Sequence, residues 1–235
     1  MKKILYTLLL CLSTGLFVAC EDETSQDLSK VTHYISFDMQ GEQRMLIPLG
    51  TPYVEPGVTA TEGDEDVTSK MTITGSVDGN SVGLYKLTYS ATNKDGFSSS
   101  ITRTVIIYDP DVSIDISGTY TVASGTYRFT PSSGAQVGYN GYNITLTQTA
   151  PGIFYMSDYM AGYYDQRAGY GSAYAMKGYM KLNPDNTLEA LNGDVAGWGD
   201  SLDFFDDGIY NPETNTISYA LGYAGSFIFY VTLTK

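Results

Sequence analysis

Two long alternating runs on either side of one turn constrain the fold most strongly. Residues 83–91 alternate apolar and polar side chains, and residues 99–108 alternate again after the turn at Asp95-Gly96. A period of two is typical of strands, because successive side chains point to opposite faces of a sheet. The apolar residues on one face of the first run are Tyr85, Leu87, Tyr89 and Ala91. The pattern predicts a long β-hairpin.

The segment around this hairpin carries further motifs. They are Y-V-E-P-G-V-T-A at residues 53–60, G-L-Y-K-L-T-Y-S-A at residues 83–91 and R-T-V at residues 103–105. Together they resemble the small bacterial immunoglobulin-like domain with the pattern Y-x-E-P-G-V-x-A … G-x-Y-x-V-x-Y-x-A-x-D-x-x-G-N … R-x-V. Asn93 and Phe97 depart from it, where the pattern has Asp and Asn. The resemblance implies an immunoglobulin-like β-sandwich over residues 31–109, used as a spacer or adhesion module and not as a catalyst.

The rest of the chain predicts a second β domain over residues 115–235, after a short linker at 110–114. Short strand-like runs recur there, and two connections share one design: Asn-Pro, an acidic residue and then Asn-Thr, at residues 183–187 and 211–216. Pro presets φ and Asn tolerates the left-handed conformation, so both predict hairpin turns. Beyond residue 30 no helical period stands out. The fold class is therefore all-β, with an immunoglobulin-like sandwich followed by an antiparallel meander, either a barrel or a sandwich.

The N-terminus predicts export. Lys2 and Lys3 precede an apolar stretch that ends in Leu16-Phe17-Val18-Ala19-Cys20, which resembles a bacterial lipobox. The resemblance implies a lipoprotein signal peptide over residues 1–19, lipidation of Cys20 and a flexible tether over residues 20–30. The acidic triplet at residues 21–23 also resembles the surface-export signal of Bacteroidetes-type lipoproteins. A single transmembrane anchor is the alternative, but the stretch is short for one.

Charge and cysteine content narrow the possible partners. Removal of residues 1–19 takes away two lysines, so eleven basic residues face 26 acidic ones and the formal charge is −15. Such a surface repels phosphate backbones, which argues against nucleic acid as a partner. The two cysteines, Cys11 and Cys20, lie in the signal and at the lipidation site. The mature body would have no disulfide, so its own core must hold it.

Motifs for catalysis are sparse. His33 is the one histidine of the chain, and no G-x-S-x-G, H-E-x-x-H, P-loop or dinucleotide motif accompanies it. We therefore expect no enzyme activity and no cofactor. A glycoside hydrolase stays open as an alternative, because it needs only two suitably spaced carboxylates and the chain has many acids.

The densest unusual stretch is rich in tyrosine and glycine. Residues 158–172 show no strand pattern and predict a long loop, and long loops in compact domains are often functional. Tyrosine offers a flat apolar face with a polar tip, which suits sugar rings and their hydroxyls. The candidate ligand-binding residues are Tyr159, Tyr163, Tyr164, Arg167, Tyr170 and Trp198. The alternative is that these aromatic side chains simply pack the sheet.

An acidic segment at residues 203–208 offers oxygen ligands. Asp203, Asp206 and Asp207 are weak candidates for binding Ca²⁺, which prefers carboxylates. Their spacing differs from the EF-hand series, which favours a solvated acidic turn without a metal.

These observations predict a lipid-anchored protein of the outer membrane that faces the cell exterior. The two-domain architecture resembles lipoproteins encoded beside outer-membrane glycan-uptake systems, which implies a non-catalytic glycan-binding component of polysaccharide acquisition. Its partners would be the membrane, a glycan and proteins of the uptake complex. The alternative is an adhesin or protein-interaction subunit of an outer-membrane complex.

Overall fold

The structure, a computed structural model, describes residues 31–235. The predictions for the signal peptide, Cys20 and the tether lie outside the described residues. Within them the chain forms two β-rich units, and the all-β prediction is confirmed.

The first unit is an immunoglobulin-like sandwich, as predicted. Its strands are β1 Ile35–Met39, β2 Arg44–Pro48, β3 Val58–Glu62, β4 Glu65–Asp66, β5 Thr72–Thr74, β6 Gly83–Thr92 and β7 Ser98–Tyr108. One sheet has the order β1-β3-β4 and the other β2-β7-β6-β5, with β2 parallel to β7. A 3₁₀ turn at Thr68–Lys70 precedes β5. The predicted hairpin is the β6–β7 pair.

Asn93 makes the turn of this hairpin. Its side-chain oxygen accepts hydrogen bonds from the backbone N–H groups of Asp95 and Phe97, at 3.1 and 2.7 Å. Its amide nitrogen donates to the carbonyl of His33 at 2.8 Å. An Asn can therefore replace the Asp of the family pattern, because the turn needs a side-chain acceptor at this position.

The Y-x-E-P-G and R-x-V motifs meet at one buried cation. The Arg103 side chain is fully buried and forms an ion pair of 2.9 Å with Glu55. Its guanidinium also donates to the carbonyl of Gln40 at 2.7 Å, and the Tyr53 hydroxyl donates to Glu55. A buried charge needs such partners, which explains why these residue types occur together.

The second unit is a curled antiparallel half-barrel. Its strands are β8 Gly118–Val122, β9 Tyr127–Thr130, β10 Ala135–Gly138, β11 Asn143–Ala150, β12 Ile153–Met156, β13 Gly178–Leu182, β14 Leu188–Ala190, β15 Asp194–Val195, β16 Asp200–Asn211, β17 Thr216–Tyr223 and β18 Phe227–Thr234. The order is β14-β13-β12-β11-β8-β18-β17-β16-β15, while β9 pairs with β10 and β18. The sheet is so strongly curled that Thr187, next to β14 at one end, forms an isolated β-bridge with Ile209 of β16, near the other end.

The two Asn-Pro connections are hairpin turns, as predicted. They join β13 to β14 and β16 to β17. Asn186 and Asn215 adopt φ of 66° and 50°, the left-handed region that closes each turn. Asn tolerates this region better than most residues with a side chain.

Two local predictions for this unit are wrong. The acidic segment at residues 203–208 lies within the longest strand, β16, and is not a turn. A bulge at Asp207, with φ of 54°, interrupts the alternation and conceals the strand in the sequence. The alternation over residues 173–182, with Tyr174, Met176, Met180 and Leu182 on one face, predicts a strand, but the strand begins only at Gly178, because Ser172–Tyr174 forms a 3₁₀ turn.

The two units pack through a small apolar contact. Ile106 of the sandwich and Ile153 of the half-barrel lie in one buried cluster. Beside it, the Arg44 side chain donates a hydrogen bond of 2.8 Å to the Tyr179 hydroxyl. The main core lies elsewhere, inside the curl of the second sheet.

Candidate functional site

The tyrosine-rich segment lies against the inner side of the curled sheet. As predicted, residues 158–172 form no strand; they include one π-helical turn at Tyr163–Arg167. Tyr159 is 0% exposed and Tyr163 is 5% exposed, and both pack in the core of the half-barrel. A ligand outside the protein cannot reach the Tyr159 side chain, so we leave it out of the candidate site. The segment therefore has a packed inner part and a free outer part.

Asp158 anchors the inner part of this segment. Its carboxylate accepts backbone hydrogen bonds from Met160, Gly162 and Met176, at 2.9, 2.8 and 2.9 Å. These bonds hold the start of the tyrosine-rich segment next to Met176, which follows the segment in the sequence. Burial raises the pKa of the Asp158 carboxyl to about 7, although the three donors oppose the shift.

The outer part forms an aromatic surface, which we define as Tyr164, Tyr170, Tyr174, Trp198 and Tyr223. The Trp198 ring lies 4.7 Å from Tyr174, 4.9 Å from Tyr164 and 5.9 Å from Tyr170, measured between ring centroids. Tyr223, which is only 3% exposed, packs against these rings from the core at 6.2 Å from Trp198 and supports them. Trp198 is 41% exposed and Tyr170 is 57% exposed, so both rings present area to solvent.

Glycine places Trp198 in this surface. A side chain at Gly197 would meet the Tyr174 ring at 2.7 Å and the Ala173 carbonyl at 3.0 Å. The Gly197 N–H donates to that carbonyl at 2.7 Å. The missing side chain thus lets the turn approach the tyrosine segment closely enough for the indole to contact four rings.

The phenols of Tyr164 and Tyr223 stay protonated at neutral pH. Burial raises the pKa of Tyr164, and the neighbouring Arg128 offsets part of the shift. Burial also raises the pKa of Tyr223, and its hydrogen bond of 3.0 Å to Asp200 raises it further. A neutral phenol can both donate and accept a hydrogen bond, so the surface combines apolar faces with polar tips.

Arg167 lies beside this surface at a neighbouring cavity. Its guanidinium sits 4.9 Å from the Tyr163 ring centre. The cavity has a volume of about 760 Å³ and is lined mainly by polar and aromatic side chains. Its wall includes the side chains of Tyr127, Gln136, Asn140, Tyr142 and Arg167.

The structure thus brings together Tyr164, Tyr170 and Trp198, although Trp198 follows Tyr164 by 34 residues in the sequence. It places Arg167 at the adjoining cavity, and Tyr159 and Tyr163 in the core. Sequence reasoning missed Tyr174, Tyr223 and Arg128. Tyr174 was assigned to a strand, and the other two lie on β17 and β9, where nothing local distinguishes them from ordinary strand residues.

The acidic candidates on β16 show no metal site. Asp203 accepts a hydrogen bond of 2.7 Å from the Gly225 N–H, and Asp206 and Asp207 are exposed on the strand. Over residues 31–235, no group of three or more His, Cys, Asp or Glu side chains is arranged to hold a metal ion. The same part of the chain contains no helix long and apolar enough to cross a membrane.

Comparisons with known proteins agree with the two units. Residues 37–107 match a family described as "Bacterial surface protein, Ig-like domain". Residues 109–235 match a second family, which is described as a C-terminal domain. A comparison with curated proteins gives no match.

Among solved structures, the second carbohydrate-binding module, CBM51-2, of ZmpB from Clostridium perfringens, solved with GlcNAc and with INT domains, is 19% identical. That alignment covers 52% of this chain and 31% of that chain at a TM-score of 0.28. So low a score carries no argument about this protein.

A lipoprotein from Bacteroides thetaiotaomicron is a much nearer relative. The lipoprotein BT2262 is 43% identical, and the alignment covers 86% of this chain and 100% of that chain at a TM-score of 0.50. The surface-protein domain at residues 37–107 agrees with a place at the cell surface. The chain therefore belongs to the family of bacterial surface lipoproteins that includes BT2262.

Proposed function

We propose that this protein is a non-catalytic glycan-binding lipoprotein, anchored in the outer membrane with its body outside the cell, and that it serves a polysaccharide-acquisition system. The aromatic surface is the binding platform and the immunoglobulin-like sandwich is the spacer. The observation that carries the proposal is the exposure of Trp198 and Tyr170 on a base of three further rings.

The chemistry of this surface suits sugars. The C–H faces of sugar rings pack on aromatic rings, while their hydroxyls bond to phenols, amides and guanidiniums. Packed aromatic neighbours hold the exposed rings, so little side-chain entropy is lost when a ligand binds. The cavity beside Arg167 adds the exposed amides of Gln136 and Asn140.

The raised pKa of Asp158 does not indicate a general acid. A glycosidase needs a carboxyl that can reach the glycosidic oxygen. Asp158 is 1% exposed, and backbone N–H groups occupy both of its oxygens. Its role is to hold the tyrosine segment, which supports a binding function over hydrolysis.

We expect Trp198→Ala to abolish most glycan binding. Truncating a central aromatic contact typically costs about 2 kcal/mol or more, which is about a thirtyfold loss of affinity. The measurement is affinity gel electrophoresis and calorimetry of the detergent-solubilised protein against a panel of neutral and acidic polysaccharides. Thermal unfolding of each variant checks that the fold is kept.

The matched control is Phe97→Ala. Phe97 is 50% exposed, similar to the 41% of Trp198, but it lies in the sandwich, where its ring centre is 5.6 Å from that of Tyr34. Equal loss in both variants would contradict a site at the aromatic surface. No binding to any polysaccharide by the unmodified protein would overturn the proposed function, and release of reducing sugar would overturn the non-catalytic assignment.

A second function is favoured by a different surface. Phe204, Ile209 and Tyr230 share the outer face of β16–β18 and are 38%, 47% and 38% exposed. Such a flat apolar patch suits contact with another protein. If no glycan binds, a protein-interaction subunit of an outer-membrane complex becomes the preferred function, and Phe204→Asp should then disrupt recovery of its partner from outer membranes.

A further inference from the structure

The arginines of this chain are unevenly placed. There are four, against 26 acidic residues. Arg103 pairs with Glu55, and Arg44 bonds to the Tyr179 hydroxyl. The other two, Arg128 and Arg167, lie against the same tyrosine ring.

Arg128 and Arg167 converge on Tyr163. Each guanidinium carbon lies 4.9 Å from the centre of that ring, so the two carbons are at most twice that distance apart. Arg128 also lies 4.4 Å from the Phe227 ring centre. Two cations therefore share one aromatic neighbour in a protein of opposite overall charge.

No carboxylate neutralises this pair. Among residues 31–235, neither Arg128 nor Arg167 forms an ion pair, and the buried Nε of Arg128 has no hydrogen-bond partner. Asp165 lies on the same π-helical turn as Arg167 but does not pair with it. The cavity that Arg167 lines has no Asp or Glu in its wall.

We infer that this pair is an anion subsite, and that the glycan bound by the protein is acidic, with a carboxylate or sulfate that Arg167 binds in the cavity. This inference rests on the proposed function and names its ligand class. Arg167 supplies the direct contact, because a guanidinium donates charge-assisted hydrogen bonds to such groups. Arg128 raises the local positive potential, and Gln136 and Asn140 bond to sugar hydroxyls.

The negative charge of the whole protein does not prevent this. At physiological ionic strength charges are screened over about 8 Å. The potential in the cavity is therefore set by the groups near it, and its wall contains Arg167 and no carboxylate. Distant carboxylates reduce the rate of encounter more than the affinity of the bound state.

The test compares acidic glycans with their neutral forms on the detergent-solubilised protein. The probes are polygalacturonate, alginate, hyaluronan and chondroitin sulfate, each beside its carboxyl-reduced form, together with neutral polysaccharides. We expect an acidic probe to bind about tenfold or more tightly than its reduced form. Carboxyl-reduced chondroitin sulfate keeps its sulfate, so retained binding there would assign the sulfate as the bound group.

Two variants and a control locate the subsite. Arg167→Gln should lose about tenfold or more in affinity for the acidic probe, and Arg167→Lys should retain part of it. Lys86→Gln removes one exposed charge from the other unit and should bind normally. Thermal unfolding shows whether each variant is folded.

The outcomes separate the two levels of the proposal. If neutral and reduced glycans bind with the same affinity as acidic ones, the acidic-ligand inference is overturned and the proposal of glycan binding stands. Acid-selective binding that is unchanged in Arg167→Gln would overturn the assignment of the subsite to Arg167. No binding to any polysaccharide would overturn the proposed function and the inference with it.

Discussion

Replacing Arg103 with Met should lower the free energy of unfolding of the sandwich by about 3–5 kcal/mol. Arg103 is fully buried and pairs with Glu55 at 2.9 Å, while its guanidinium satisfies the carbonyl of Gln40. Methionine fills much of the same space but leaves the Glu55 carboxylate without its counter-charge and the Gln40 carbonyl without the donor that Arg103 supplies. The loss of one partner of a buried pair is therefore far more costly than the net contribution of the pair.

Urea denaturation measures this effect, and two signals separate the units. Circular dichroism follows both of them, while fluorescence of Trp198, the one tryptophan, follows the half-barrel. The control is Lys70→Met, which removes an exposed pair with Glu65 and should change the free energy of unfolding far less, because solvent screens exposed pairs. Equal effects of the two substitutions would contradict a structural role for the buried pair.

The second large effect is a pH dependence that comes from Asp158. Its pKa rises from 3.8 to about 7 on folding. A raised carboxyl pKa contributes stability that is fully present below pH 3.8 and is lost as pH rises through about 7. At about 1.36 kcal/mol per pKa unit, the stability of the native protein relative to Asp158→Asn should fall by about 4 kcal/mol across that window.

Trp198 fluorescence in urea, recorded from pH 4 to pH 8 for both proteins, measures this difference. Asp185→Asn is the control. Hydrogen bonds from Thr187 lower the pKa of the exposed Asp185 carboxyl, so the contribution of Asp185 to stability depends on pH with the opposite sign. If the difference in free energy of unfolding between the native protein and Asp158→Asn stays constant with pH, the pKa of the carboxyl is not shifted. If the stability of the native protein relative to Asp158→Asn rises with pH, the three backbone donors outweigh burial and lower that pKa.

Much of the fold could be predicted from local patterns. The β6–β7 hairpin follows from alternation around Asp95-Gly96, and the turns at Asn186 and Asn215 follow from Asn-Pro segments. These predictions succeed because turn geometry and side-chain period are properties of a few adjacent residues. β16 could not be predicted, because two register shifts, between Leu202 and Phe204 and between Asp206 and Ile209, break the period on which a strand prediction depends.

The candidate site could be predicted only in part. The loop at residues 158–172 and Trp198 are unusual in the sequence, and Tyr164, Tyr170 and Trp198 do meet. Which tyrosines face solvent could not be derived, because tyrosine suits both a core and a surface. Tyr159 and Tyr170 lie eleven residues apart in the same segment, yet one is 0% and the other 57% exposed.

The sequence by itself determined the two β-rich units, the β6–β7 hairpin and the two Asn-Pro turns, because these depend on local period and residue type. Tertiary structure alone decided the site. The curl of the sheet brings Trp198, Tyr174 and Tyr223 together and sets Arg128 and Arg167 against one ring. Such contacts arise from how distant strands pack, and no pattern within a single segment encodes them.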